Sequence, residues 1–157
     1  MLIRIVVEDP ASSDSFALME ELSETLAQIT GDNGKSSFDP SDVRAAKGRF
    51  VIARNSEGEA LGCGAFRPLK EGVAEVKRMF SRPGTKGVGS AILKFLEGEA
   101  RTLGYRALWL ETRLMNERAV QFYERKGYQR IPNFGKYAGN SKAVCFEKRL
   151  VNTDKVD

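Results

Sequence analysis

Between Arg82 and Ala100 the chain reads RPGTKGVGSAILKFLEGEA, a glycine-rich turn running into apolar residues at helical spacing. The first N–H groups of a helix carry the positive end of its dipole, so such a junction suits a phosphate or another anion. Gly87 and Gly89 place no side chain in the way of close backbone approach, and Ser90 adds a hydroxyl donor. Two familiar phosphate loops do not fit. Gly84 and Gly89 have the separation of a P-loop, but Ser90 and Ala91 follow in place of Lys and Ser/Thr. Gly87 and Gly89 begin a dinucleotide fingerprint, but Ile92 stands where its third glycine belongs. Two readings stay open on these residues alone: a loop for a third kind of phosphate compound, or a plain tight turn in which glycine supplies positive φ.

Two further stretches concentrate polar chemistry. In AEVKRMFS, Ala74 to Ser81, Glu75 is followed by Lys77 and Arg78. A carboxylate in a partly apolar cleft has a raised pKa and suits proton abstraction, directly or through water. The other reading is an exposed strand charge paired with Lys77 or Arg78. In NERAVQFYERKGY, Asn116 to Tyr128, Asn116 is an N-cap candidate. Tyr123 is either a functional hydroxyl or a core aromatic beside Phe122.

The residue inventory excludes other chemistry. There is no histidine, which removes histidine general bases, Ser-His-Asp triads and the commonest zinc ligand. Cys63 and Cys145 each sit in an apolar, strand-like run and read as small buried hydrophobes. Neither stands at a helix N-terminus or beside a base, so a covalent cysteine route lacks support. No metal site is expected. The formal net charge of +4 comes from basic residues scattered among acids, which suits weak attraction to an anion. No basic stripe with interleaved aromatics points to nucleic acid. No apolar run approaches the roughly 20 residues that span a bilayer. MLIRIVVEDP reads as a first strand and not as a signal peptide, so a cytoplasmic location is the expectation.

The elements that must position these residues follow from periodicity. Leu2 to Val7 reads as a strand. Asp9-Pro10 reads as a cap and first helical residue, followed by a helix to about Thr30 with Phe16, Met19, Leu22, Leu26 and Ile29 on its apolar face. GDNGKSSFDP is a loop, and Ser41 to Ala46 a short helical turn. RFVIAR, ALGCGAF and VAEVKRMFS form an antiparallel meander whose second turn begins at Pro68. A helix then carries Val88, Ile92, Phe95 and Leu96 and stops at Gly104. ALWLE is a strand buried on both faces, the Asn116 helix ends at Gly127, and Tyr128 to Ile131 and Ala143 to Lys148 close the chain as strands. The 157 residues suit one mixed α/β domain over residues 1–150, with a polar tail over 151–157.

With that order in place, the chain resembles the GCN5-related N-acetyltransferase (GNAT) superfamily. AEVKRMFS is similar to the family's central strand, GTKGVGSAIL to its acetyl-CoA pyrophosphate loop, and NERAVQFYERKGY to its last helix. The ending FGKY…CFEKRL further resembles a bacterial subgroup of small-molecule, indole-acetic-acid-type acetyltransferases. The resemblance implies a single-domain GNAT fold, a central mostly antiparallel sheet with flanking helices. It implies an acetyl-CoA-dependent N-acetyltransferase that moves the acetyl group to a primary amine of a small molecule by direct attack.

It also implies roles. Glu75 matches a general base, the backbone N–H of Met79 a donor to the acetyl carbonyl, and Tyr123 an acid near the leaving sulfur. Coenzyme A would lie along Met79, Phe80 and Ser81, on the loop Gly84, Thr85, Lys86, Gly87, Val88, Gly89 and Ser90, and against Asn116, Phe122 and Tyr123. Gly84 replaces the family's Gln/Arg, and Lys86 is the candidate replacement charge. Lys77, Arg78, Phe38 and Tyr137 are candidates for the acceptor cleft, with Arg113 and Phe134 nearby. Basic and aromatic residues together hint at an acceptor with a carboxylate and an apolar part; solvated charge and ordinary packing are the other reading. A homodimer is compatible with the resemblance. Two rival functions are a protein or peptide N-acetyltransferase and a non-catalytic acyl-CoA-binding regulatory module.

Overall fold

The computed structural model describes residues 2–150, so the expected tail over 151–157 lies outside the described residues. The elements run β1 (Arg4–Val7), α1 (Ser13–Thr30), α2 (Pro40–Arg44), β2 (Arg49–Arg54), β3 (Ala60–Lys70), β4 (Val73–Ser81), α3 (Val88–Thr102), β5 (Ala107–Arg113), α4 (Glu117–Arg125), β6 (Gln129–Ile131) and β7 (Ala143–Arg149). Short 3-10 turns stand at Lys35–Ser37 and Gly135–Tyr137. The strands form one sheet in the order β1-β2-β3-β4-β5-β7-β6. Every neighbouring pair is antiparallel except β4 and β5. This is the expected mixed α/β fold with a mostly antiparallel central sheet.

Helices cover both faces. On one, Val88, Ile92, Leu93, Leu96 and Ala100 of α3 pack on Val51, Phe66, Val76, Leu108 and Phe146 of the sheet. On the other, Leu18 of α1 and Val43 of α2 pack on Phe50, Ile52, Cys63 and Ala65. α3 sits close because β3 carries Gly64, where a Cβ would fall 2.6 Å from both Ile92 Cγ2 and Met79 Sδ.

Three local expectations change. The first helix is capped by Ser12, whose hydroxyl accepts from the Ser15 N–H at 3.2 Å, and not by Asp9. Asp9 caps a tight turn instead, accepting from the Ala11 N–H at 2.7 Å. The buried stripe of α1 is Ser15, Leu18, Leu22 and Ser23, while Phe16 and Ile29, expected on the apolar face, are exposed. Finally, β3 runs on through Pro68 to Lys70 and turns only at Glu71-Gly72. Pro68 is tolerated there because β2 pairs with β3 no further than Phe66, so its missing N–H faces no partner on that side.

The central feature is where pairing stops. β4 pairs with β5 over Val73, Ala74 and Glu75 only. β4 continues along β3, with a register shift between the pairs Ala65–Lys77 and Cys63–Phe80. Within that bulge Arg78 takes φ 55, the one positive φ outside glycine among the described residues. β5 meanwhile stays paired with β7 to Arg113. Past Glu75 the two central strands therefore diverge.

Candidate active site

The divergence of β4 and β5 opens a cleft of about 160 Å³. At one end it is lined by Met79 of β4 and by Asn116, Ala119 and Tyr123 of α4. At the other it reaches Glu75, Lys77, Arg78, Glu111, Arg113, Phe38 and Tyr137. The Asn116 side chain accepts from the Ala119 N–H at 3.3 Å, so it caps α4 and lines the cleft together. Tyr123 is 7% exposed, and its ring packs against Phe122, Tyr128 and Phe146. Burial pushes its hydroxyl well above the ordinary tyrosine range.

The glycine junction has the geometry of an anion cradle. Gly84 and Gly87 have φ 83 and 73, and a Cβ on either would meet nothing within 4 Å. Gly87 is the N-cap of α3 and supplies no side chain to the helix's first N–H groups. Gly89 lies against Ser81 and Phe122, with 3.3 Å and 3.4 Å from an added Cβ to Ser81 Oγ and Phe122 Cζ. The loop thus meets the end of β4 and the side of α4. Thr85 closes the turn by donating to the Arg82 carbonyl at 2.7 Å, Val88 is buried, Ser90 is half-buried and Lys86 is exposed. Arg82 is held away by Glu21 at 2.6 Å and by the Ala60 carbonyl. The Phe80 side chain packs into the α1–α2 layer.

The far end is a charged, buried cluster. Glu75 is 1% exposed. Arg67 grips its Oε1 at 2.7 Å and 3.0 Å, and Oε2 accepts from Tyr137 at 3.0 Å and Lys77 at 3.3 Å. The Lys77 ammonium also donates to the Tyr137 hydroxyl at 3.0 Å. Burial pulls the Lys77 pKa down and pushes the Tyr137 hydroxyl up. Of the two partners expected for Glu75, Lys77 is present and Arg78 is not; the second cation is Arg67. Arg78 instead reaches α1, where it donates to the Met19 carbonyl at 3.0 Å and the Ser23 hydroxyl at 2.6 Å. Phe38 lies beside it, 5.9 Å from ring centroid to guanidinium carbon. Tyr137 is buried, edge-on to Phe134. Lys136 ties the two loops together through the Ser36 carbonyl at 3.3 Å.

Sequence reasoning missed Glu111. It lines the cleft from β5, and one of its oxygens pairs with Arg113 while Oε1 takes no hydrogen bond among the described residues. Burial holds its carboxyl above the ordinary range, against the pull of Arg113. Only the parallel register that sets Glu75 beside Trp109 brings it near the β4 cluster, and nothing local in ALWLE signals that.

The sequence matches the Acetyltransferase (GNAT) family over residues 16–128. It is 32% identical over 151 residues to the IAA acetyltransferase of Azospirillum brasilense, covering 94% of this chain and 98% of that protein. An Escherichia coli N-acetyltransferase, YjgM, is 29% identical over 114 residues, covering 66% and 68% of the two chains. The crystal structure of a Klebsiella pneumoniae protein described as an acyl-CoA N-acyltransferase superposes with a TM-score of 0.81 at 28% identity, covering 96% of this chain and 99% of that one. A GNAT-family acetyltransferase structure from Staphylococcus aureus, 15% identical, shares the fold with a TM-score of 0.75. The chain belongs to the GNAT acetyltransferase family and is an acyltransferase.

Proposed function

We propose that the protein moves the acetyl group of acetyl-CoA onto a primary amine of a small molecule, in the cleft between β4 and β5. The observation that carries this reading is the divergence of the two strands past Glu75, beside the bare glycine start of α3. The residues fit the co-substrate: Gly84, Gly87 and Gly89 would cradle its pyrophosphate, and Met79 to Ser81 would present main chain to its arm. When bound, acetyl-CoA supplies a thioester that the acceptor amine attacks directly. Neither cysteine competes as a nucleophile, since both lie off the cleft and burial pushes the Cys63 thiol up to about 12.

Proton handling falls to three residues. Glu111 accepts the amine proton, because it keeps an oxygen without a partner and its carboxyl is held high by burial. Glu75, expected as the base, has both oxygens engaged, so it positions Lys77 and Tyr137 instead. Tyr123 stays protonated at neutral pH and donates toward the leaving sulfur. The Met79 N–H serves the carbonyl oxygen as it gains charge.

A small acceptor is favoured over a peptide because Lys136 bridges the Phe38 and Tyr137 loops across the far end. The test is thermal unfolding with acetyl-CoA, using ATP and NAD as controls. Saturation at about 100 times Kd adds about 2.7 kcal/mol of stability, a rise of several degrees. A rise with acetyl-CoA alone supports the reading, and no rise at millimolar acetyl-CoA contradicts it. A non-catalytic binder would show the rise without thiol release on any amine.

A further inference from the structure

Leaving aside the exposed Lys136, four buried or half-buried cations line the far end of the cleft or its wall, and three already have carboxylate partners. Arg67 holds Glu75 at 2.7 Å, Lys77 lies 3.3 Å from Glu75, and Arg113 pairs with Glu111. Arg78 is the exception. Among the described residues, no carboxylate comes within 4.0 Å of its guanidinium. Its two hydrogen bonds go to neutral acceptors, the Met19 carbonyl and the Ser23 hydroxyl, both from Nη2. Nε is buried with no partner among the described residues. Nη1 makes no hydrogen bond and faces Gly34, where an added Cβ would come within 3.2 Å.

Nearby acids are engaged elsewhere. Glu20 pairs with Lys35 at 2.9 Å, and Asp32, on the same cleft, accepts the Gly34 N–H at 2.9 Å. Burial already pulls the Arg78 pKa down. A desolvated cation without a counter-ion is costly, and a ligand that brings one relieves that cost. The backbone agrees: Arg78 is held at φ 55 in the bulge, a strained conformation of the kind that clusters at ligand sites. Leu22, Leu26 and Phe38 give the cleft an apolar wall on this side.

We propose that Arg78 is the receptor for a carboxylate on the acceptor, so that the substrate class is amino acids and related amines with an apolar side chain. The carboxylate takes the Nη1 donors of Arg78, which lack a partner among the described residues, and the apolar part lies against Leu22, Leu26 and Phe38. This rests on reading the cleft as the acceptor site. Lys77 and Arg113 are not the receptor, because binding there would compete with carboxylates already in place.

The experiment compares matched acceptors at saturating acetyl-CoA: L-phenylalanine against phenethylamine, and L-leucine against isopentylamine. The wild type should prefer the carboxylate member by about tenfold or more in kcat/KM, and Arg78→Met should collapse that ratio toward one. Arg78→Lys, which keeps the charge, should retain part of it. Indifference of the wild type to the carboxylate overturns the proposal. So does an equal loss on both members of a pair, or a loss that appears in the KM for acetyl-CoA instead, which would assign Arg78 to the co-substrate. Calorimetry with 3-phenylpropionate reads the same site without turnover. Binding by the wild type and its loss in folded Arg78→Met supports the receptor even if no amine is acetylated; no binding by the wild type overturns it.

Discussion

At the residue scale the site turns on which carboxylate is free. Glu75, Lys77 and Arg78 were legible because they share one strand and lie within four positions of each other. Arg67 and Glu111 were not, because Arg67 meets Glu75 only through the β3–β4 register and Glu111 comes near this cluster only through the parallel pairing of β5. Glu111→Gln should lower kcat/KM by about 100-fold or more, the usual contribution of a general base, while circular dichroism stays unchanged. Tyr123→Phe should lower kcat by about tenfold or more with little change in the KM for the amine. A pH effect follows from Glu111 as well. Its folded-state pKa is raised by burial, so the folded state binds that proton more tightly than the unfolded chain. Its contribution favours folding below the unfolded value and is lost as pH rises through the folded value. Because glutamine cannot ionise, the melting temperature of Glu111→Gln should gain on wild type as pH rises from the ordinary carboxylate range of about 4 through the folded-state value, read from paired melts.

At the scale of elements, the glycine junction and α4 were legible from motif and spacing, since a helix start and an N-cap are local devices. Asn116 does cap α4, and Gly87 does precede α3. The bulge was not legible: Arg78 is not a residue type that announces positive φ, and its conformation is imposed by the β3 register on one side and α1 on the other. The start of α1 was misplaced because Asp9 and Ser12 are both good caps, and only packing chooses between them. Gly87→Ala tests the junction. The left-handed conformation costs a Cβ-bearing residue about 1–2 kcal/mol, which should lower the melting temperature by several degrees. The same change should raise the KM for acetyl-CoA, because a methyl group enters the open space over the first N–H groups of α3.

At the scale of the whole molecule, one seven-stranded sheet with helices on both faces fixes the cleft at the seam where, among the described residues, neighbouring strands run parallel. The mixed α/β class and the order of elements were readable from periodicity. The sheet order was not, because β7 inserts between β5 and β6 through contacts far apart in sequence. Phe66 is fully buried between α3 and the sheet, edge-on to Tyr105. Phe66→Ala should cost about 3–5 kcal/mol in denaturant unfolding, which tests whether this core holds the seam in place.

The most direct test of the central claim is thiol release from acetyl-CoA over a panel of small primary amines, run with the wild type and Glu111→Gln side by side. Release should require both the enzyme and an amine and should fall by about 100-fold in the variant. No release with any amine, or equal release by the two proteins, would contradict the claim.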